Sequence, residues 1–220
     1  MHRLRLTVAA FLASLLTALL LAPAQAATTT AADLFGSLTV ASEGGSTTYD
    51  RNYFNHWIDN NGDCQNTRHE VLIWESQVTP TYTSSSRCSV SSGRWYSYYD
   101  GASWTLASDV DIDHMVPLKE AWESGARNWS AYDRERFAND LGFDASLVAV
   151  TDNINQSKGD QDPASWLPPR SAARCTYAIE WVQVKYRWRL SINAAERDAL
   201  SSLLSGSCGS TLVTVPARAR

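Results

Sequence analysis

The sequence predicts a mixed α+β domain, and three patterns along the chain carry this prediction. Apolar residues recur from Val110 to Leu118 as in a short strand with one buried face. The run from Ser146 to Thr151 is apolar and partly β-branched, which favours a second strand, and a polar segment typical of a helix follows it. Apolar residues at helical spacing in 178–204 predict C-terminal helices that act as scaffold.

Three local signals add detail to this plan. Residues 93–101 alternate in polarity and end in Asp-Gly, which predicts a hairpin. Ser130 is a candidate N-cap of a helix that ends near Gly142, and Asn193 with Glu196 forms a capping-box variant. Aromatic residues at helical spacing in 49–57 indicate a helix that faces the core.

The N-terminus has the features of a secretory signal peptide. Arg3 and Arg5 give a basic start, residues 8–21 are apolar, and Ala24-Gln25-Ala26 is a small-x-small cleavage site. An uncleaved membrane anchor is the alternative, but the apolar run is shorter than the ~20 residues that a spanning helix needs. We therefore expect a secreted monomer with no membrane partner. The expected divisions are a signal peptide (1–26), a loose lead-in (27–48), a domain (49–210) and a tail (211–220) without pattern.

Export also determines how the four cysteines are interpreted. They are isolated from one another, so no C-x-x-C pair is available for a zinc site, and an oxidising environment favours two disulfides. The residues concerned are Cys64, Cys88, Cys175 and Cys208. Three connectivities are possible, and short loops between chain neighbours favour Cys64–Cys88 and Cys175–Cys208.

The charge balance limits the function classes. The formal net charge is −4, and it becomes −6 once Arg3 and Arg5 leave with the signal peptide. Affinity for a phosphate backbone comes mainly from Lys and Arg, so this composition excludes a standing nucleic-acid binder. An enzyme that meets a polyanion at one local basic site is compatible with it.

Residues 59–70 match a calcium loop only in part. Oxygen-bearing side chains stand at four of its ligand positions, namely Asp59, Asn61, Asp63 and Glu70. Cys64 occupies the sixth position, where the loop requires glycine, and Asn66 occupies the apolar eighth position. We therefore expect a turn stapled by a disulfide, without a Ca²⁺ ion.

Asp113 and His114 carry the chemistry of the first strand. A carboxylate is a hard oxygen ligand for Mg²⁺, and an adjacent imidazole can take a proton at neutral pH. Asp111 points to the same face as Asp113 and either supports a metal or faces solvent. Arg68 is a candidate clamp for a phosphate, although a surface salt bridge explains it equally well. A buried ion pair without catalysis is the alternative for Asp113 and His114.

The spacing of these residues resembles a known motif. Asp113-His114-x-x-Pro117, an apolar strand and then Asn155-x-x-Lys158-x-Asp160 resemble the ββα-metal motif of HNH (His-Me finger) endonucleases. From Tyr49-Asp50-Arg51 to Pro168, the chain is similar to the exported HNH endonuclease family of actinobacteria. The terminal histidine of the full motif has no match here, and 41 positions separate His114 from Asn155 where the minimal motif has a loop.

The resemblance implies a ββα-metal core, with an N-terminal extension and C-terminal helices, that hydrolyses DNA with little sequence preference. RNA is a second substrate to consider. His114 would deprotonate the attacking water, and Asp113 and Asn155 would hold one Mg²⁺ or Mn²⁺ ion. Lys158 and Arg68 would hold the flanking phosphates.

Two other function classes stay open. The many Trp and Tyr residues also suit an exported module that binds glycans or cell wall. Such a module would need no metal, and His114→Ala would leave its function intact. A metal-dependent phosphoesterase acting on non-nucleic substrates would share the chemistry of the site and differ only in its groove.

Overall fold

A computed structural model describes residues 26–220, so the predicted signal peptide lies outside the described residues except for its last position. This part of the chain contains seven helices and seven short strands. The helices are α1 (Ala31–Gly36), α2 (Thr67–Glu75), α3 (Leu118–Glu123), α4 (Ala131–Ala138), α5 (Asp152–Lys158), α6 (Arg174–Trp188) and α7 (Ala194–Leu203). The strands are β1 (Thr28–Thr30), β2 (Thr81–Tyr82), β3 (Val90–Tyr96), β4 (Ser103–Leu106), β5 (Val110–His114), β6 (Leu147–Thr151) and β7 (Leu212–Thr214).

The strands form three small antiparallel sheets. These are β1 with β7, β2 with β3 and β4, and β5 with β6. The predicted hairpin is present as β3 and β4, and its turn is closed by the Ser97 N–H, which donates to the Ala102 carbonyl. The architecture is therefore mixed, as predicted, and its strands belong to several small sheets.

The strand–strand–helix unit predicted around Asp113 is present as β5, β6 and α5. Asp113 lies opposite Val148 and His114 lies opposite Leu147 in an antiparallel pair, and α5 begins directly after β6. The first strand ends at His114, earlier than the predicted Leu118. Pro117 lacks an N–H for a sheet and instead precedes the first turn of α3.

The two faces of the β5–β6 pair are buried against different parts of the molecule. One face carries Val148 and Val150 into the larger core, which includes Tyr177 and Trp181 of α6. The opposite face packs on α2 and β3, in a smaller core built from Val71, Leu72, Trp95, Val110, Ile112, Leu147 and Ala149. Because antiparallel partners point to the same side, Asp111 and Asp113 share the first face.

Both favoured disulfides are present. Cys64 and Cys88 are joined, as are Cys175 and Cys208, and the described residues contain no free cysteine. The first bridge staples the turn in 59–70 to the segment before β3. The second ties the start of α6 to the chain beyond α7.

The predicted helix over 49–57 is wrong. Only a 3₁₀ turn forms at Arg51–Tyr53, where the Asp50 carboxylate accepts from the Asn52 N–H. Trp57 has a left-handed φ of 58°, which no helix interior allows. The aromatic spacing reflects packing of irregular chain, because Phe54 is fully buried while Tyr53 is 46% exposed.

The predictions of a loose lead-in and of a tail without pattern are also wrong, because residues of these two segments pair with each other. Thr28 lies opposite Thr214 in the β1–β7 sheet, and the following helix α1 buries Ala31 and Leu34. Sequence patterns of three residues are too short to reveal such strands. The chain ends of the described part therefore belong to the packed structure.

The predicted helix caps are confirmed. Ser130 accepts from the Asp133 N–H at the start of α4, and Asn193 and Glu196 complete a capping box at α7. Within residues 26–220, no helix combines the length and the apolar character that crossing a membrane requires.

Candidate active site

A small pocket of about 180 Å³ opens beside the end of β5. We call it the His114 pocket. It is lined by Arg51, Ile112, Asp113, His114, Pro117, Leu118, Asn155, Gln156, Gly159 and Asp160. The structure thus brings Asp113, His114 and Asn155 together, although 41 positions separate the last two.

The His114 imidazole is held in one orientation. Its Nε2 lies 2.9 Å from the Ala138 carbonyl oxygen, and its ring lies 5.3 Å from that of Trp57. A carbonyl only accepts hydrogen bonds, so Nε2 carries the proton and Nδ1 keeps a lone pair. Among the described residues, no group hydrogen-bonds to Nδ1. The free nitrogen is therefore the one available as a base.

Burial sets the protonation state of this ring. His114 is 6% exposed, and desolvation lowers its pKa to about 3. The Ala138 carbonyl raises the pKa, whereas electrostatic interactions with Arg51, His56 and Lys158 lower it further. The imidazole is consequently neutral throughout the physiological range, and it binds a proton more weakly than the ordinary histidine that the sequence predicted.

Asp113 lies in a buried network beneath the pocket. The Lys158 ammonium donates to both carboxylate oxygens, at 2.8 and 2.6 Å, and the Tyr99 hydroxyl donates to Oδ2 at 2.6 Å. Burial raises the Asp113 pKa and lowers the Lys158 pKa, while each group's charge favours the charged form of the other. The charged carboxylate and the charged ammonium therefore stabilise each other.

Lys158 is not placed to hold a phosphate, contrary to the prediction. Its side chain is fully buried, and besides Asp113 its ammonium contacts the carbonyl oxygens of His114 and Met115, at 2.9 and 3.0 Å. An ammonium has three protons, and these four acceptors use them all. Lys158 therefore fixes the backbone around His114.

Arg68 lies outside the His114 pocket. Its Nη2 donates to the carbonyls of Ala107 and Val110, at 3.0 and 2.8 Å, so it braces the chain that enters β5. Desolvation lowers its pKa, and nearby Asp111 raises it. The predicted contact between Arg68 and a phosphate beside His114 does not fit this position.

Asn155 and Asp111 are neighbours at the edge of the pocket. Asn155 Nδ2 lies 3.2 Å from Asp111 Oδ2, but only Asn155 is part of the pocket lining. Asp111 therefore supports the orientation of the amide. This contact aims the other amide atom, an oxygen, away from Asp111.

The donor set is compatible with a single hard cation. Of the roughly four lone-pair positions of the Asp113 carboxylate, three are used by Lys158 and Tyr99, which leaves one on Oδ1. Asn155, which carries an amide oxygen, and Asp160, which is exposed, line the same pocket. Mg²⁺ commonly keeps several waters and takes only one or two carboxylates, so these residues fit such an ion.

Sequence reasoning missed Arg51 and Tyr99 as site residues. Arg51 is exposed and lines the pocket, so its guanidinium is placed to contact a phosphate bound there. It stands 63 positions before His114, so no spacing pattern links the two. Tyr99 belongs to the hairpin predicted for residues 93–101, and no pattern there links it to Asp113.

Comparisons with known proteins agree with a nuclease relation. The sequence profile of the family described as "GmrSD restriction endonucleases, C-terminal domain" matches residues 66–203. An uncharacterized secreted protein of Arthroderma benhamiae (strain ATCC MYA-4681 / CBS 112371) is 49% identical over 176 residues, which covers 80% of this chain and 84% of that protein. No solved structure matches the chain.

These matches refine the expected relationship. The A. benhamiae protein is fungal, so the predicted restriction to an actinobacterial family is not supported. Its name and the two disulfides of this chain agree with export, and the protein is secreted.

Proposed function

Because the chain belongs to the family of GmrSD restriction endonuclease C-terminal domains, which indicates a nuclease, we propose a specific activity. The protein is a secreted, metal-dependent endonuclease of the HNH type that hydrolyses phosphodiester bonds of DNA with little sequence preference. RNA is a second substrate of the same chemistry. In this proposal β5, β6 and α5 are the ββα-metal core.

One observation carries the proposal, namely the state of His114. Its Nε2 is bound to the Ala138 carbonyl, so the lone pair of Nδ1 belongs to a neutral imidazole on a pocket wall. A water molecule in the pocket can give its proton to this nitrogen as it attacks phosphorus. General-base catalysis of this kind contributes about 10²–10⁴ in rate.

Arg51 supports the anionic substrate at the same pocket. Its guanidinium can donate two parallel hydrogen bonds to phosphate oxygens, and it is exposed where a nucleic-acid strand would pass. The net charge of −4 means that binding depends on such local groups. The Lys158–Asp113 pair keeps the backbone of His114 and Met115 rigid beneath the substrate.

The proposal includes one divalent cation, Mg²⁺ or Mn²⁺. Asn155 and the remaining lone pair of Asp113 would hold it, and Asp160 adds negative charge nearby. When bound, such an ion supplies Lewis-acid stabilisation of the charge that develops on the phosphate. Asp111 acts indirectly by orienting the Asn155 amide.

Plasmid digestion by the purified secreted protein tests the proposal. We expect supercoiled DNA to be nicked and then degraded with Mg²⁺ or Mn²⁺, and EDTA to stop the reaction. His114→Ala should lower the rate by about 10²–10⁴ while circular dichroism shows an unchanged fold. His69→Gln is the matched control, because that imidazole lies on α2 and accepts from the Val90 N–H, away from the pocket.

Three results would contradict the proposal. Intact plasmid with every metal tested would favour the exported binding module. Hydrolysis of bis(p-nitrophenyl) phosphate without cleavage of any nucleic acid would favour the phosphoesterase. Equal rates for His114→Ala and the parent protein would remove the assigned base.

A further inference from the structure

A second pocket lies along the outer edge of β6, away from β5. Its volume is about 490 Å³, compared with about 180 Å³ for the His114 pocket, and the two share no lining residue. We call it the acidic pocket. Its walls include Val71, Trp74 and Glu75 of α2, Phe143, Leu147 of β6, and Glu180 of α6.

Two carboxylates of this pocket have hydrogen bonds but no cation. Both oxygens of Glu75 accept from the Ala149 N–H, at 3.1 and 3.0 Å, which covers part of the free edge of β6. Glu180 accepts from the Tyr98 hydroxyl. Within residues 26–220, neither carboxylate takes part in an ion pair.

Among the described residues, every charged side chain that lines this pocket is acidic. The other ionisable carboxyls of the lining are Glu70, Asp140 and Asp144, and no Lys or Arg of residues 26–220 lines the pocket. Asp140 alone is neutralised, by Arg187 at 2.7 Å. Burial raises the pKa of Glu75 and of Glu180 to about 7, and the neighbouring charges of Glu180 and Asp144 add to the effect at Glu75.

We propose that the acidic pocket binds a small organic cation, that is, an ammonium or amidinium group on an apolar body. Glu75 and Glu180 receive the charged head. The apolar body lies against Val71, Phe143 and Leu147. Trp74, which is 74% exposed at the pocket, offers an aromatic face to the same cation.

The chemistry of the pocket selects this class of ligand. An anion would be repelled by the carboxylates of the lining, and a neutral apolar ligand would leave Glu75 and Glu180 without a cationic partner. A cation with an apolar stem satisfies the carboxylates and also covers the apolar walls. The proposal does not depend on nuclease activity, since the two pockets are separate.

Isothermal titration calorimetry of the full secreted protein with benzamidinium and hexylammonium tests this proposal. Benzamide, which has the same shape as benzamidinium but no charge, is the control ligand. We expect both cations to bind at least about tenfold more tightly than benzamide at about pH 8. Binding should weaken as the pH falls below about 7, because Glu75 and Glu180 then take up protons.

Conservative variants assign the effect to the two carboxylates. Glu75→Gln and Glu180→Gln keep an oxygen that accepts from Ala149 and Tyr98, so the fold should be retained, as near-ultraviolet circular dichroism can verify. Each variant should weaken benzamidinium binding about tenfold or more. Asp198→Asn, which changes an exposed carboxylate on α7, should leave it unchanged.

The same data can overturn the proposal. Equal affinity for benzamide and benzamidinium would show an apolar pocket without charge selectivity. Failure of both cations to bind, or unchanged binding in both glutamine variants, would show that Glu75 and Glu180 receive no organic cation. DNA cleavage can persist in any of these cases, so this failure is distinct from failure of the proposed function.

Discussion

Two pockets lie beside the β5–β6 pair, and the carboxylates in them differ in whether they have a cationic partner. At the His114 pocket, the Asp113 carboxylate is neutralised by Lys158 at 2.6 Å, and Arg51 adds a free positive charge. At the acidic pocket, Glu75 and Glu180 each accept from one neutral donor of the described residues. Among residues 26–220, the Asp113 carboxylate thus has a cationic partner, whereas Glu75 and Glu180 form no ion pair.

This difference indicates what each pocket is suited to bind. A carboxylate that already has its ammonium partner holds the neighbouring catalytic residues rigidly, and the exposed Arg51 guanidinium attracts an anion such as phosphate. Uncompensated carboxylates on an apolar wall instead attract a cation. One strand pair therefore presents a pocket suited to a phosphate and its metal ion on one side, and a pocket suited to an organic cation on another.

Removal of Lys158 should produce the largest change in stability. Lys158→Met leaves the Asp113 carboxylate buried without its ammonium, and the free energy of unfolding should fall by about 3–5 kcal/mol. Urea denaturation measures this loss. The control is Asp113→Asn combined with Lys158→Met, which should recover part of it. A loss below about 1 kcal/mol would mean that the pair does not organise the site.

Glu75→Gln should have the opposite effect on stability. The folded-state pKa of Glu75 is about 7 instead of 4.5, so its contribution is fully present below about pH 4.5 and is lost as the pH rises through about 7. At about pH 8, the free energy of unfolding of the variant should therefore exceed that of the parent protein by roughly 1–3 kcal/mol. At about pH 4.5 the two proteins should be equally stable. If variant and parent were equally stable at about pH 8 as well as at about pH 4.5, Glu75 would not be an uncompensated carboxylate.

Arg51→Gln tests the positive side of the His114 pocket. We expect KM for DNA to rise about tenfold, because a charged contact to phosphate is lost. The slope of log affinity against log salt should fall by about 1. Arg94→Gln, another exposed arginine but outside the pocket, is the control. Identical changes in both variants would indicate a general charge effect.

The smallest effect is expected from pH. Since burial lowers the His114 pKa to about 3, the base stays deprotonated above that pH. The cleavage rate at about pH 5.5 should remain within about threefold of the rate at about pH 7.5, whereas a histidine of ordinary pKa would lose about tenfold. A tenfold loss in single-turnover assays would show that His114 is more solvated than its position indicates.

Local patterns were sufficient to predict the central unit of the fold. Alternation in 110–114 and the β-branched run after Ser146 predicted two strands that do pair, and Asp113, His114 and Asn155 line one pocket. Cysteine spacing likewise led to the observed disulfides. Each of these signals lies within a short segment of sequence or concerns cysteines that follow one another along the chain.

Properties that depend on distant contacts could not be predicted. The three-residue step from Asn155 to Lys158 does not reveal whether the ammonium points to phosphate or to Asp113. The acidic pocket combines Glu75 with Glu180, which are 105 positions apart. Such a pocket has no sequence signature, because its carboxylates become unusual only when packing removes them from water.

The central claim is that the imidazole of His114 accepts the proton of the attacking water. Chemical rescue tests it most directly, by measuring cleavage of a DNA duplex by His114→Ala with and without added imidazole. We predict that imidazole restores part of the lost rate to this variant, and restores nothing to Asn155→Ala. A His114→Ala protein that cleaves as fast as the parent without imidazole would contradict the account.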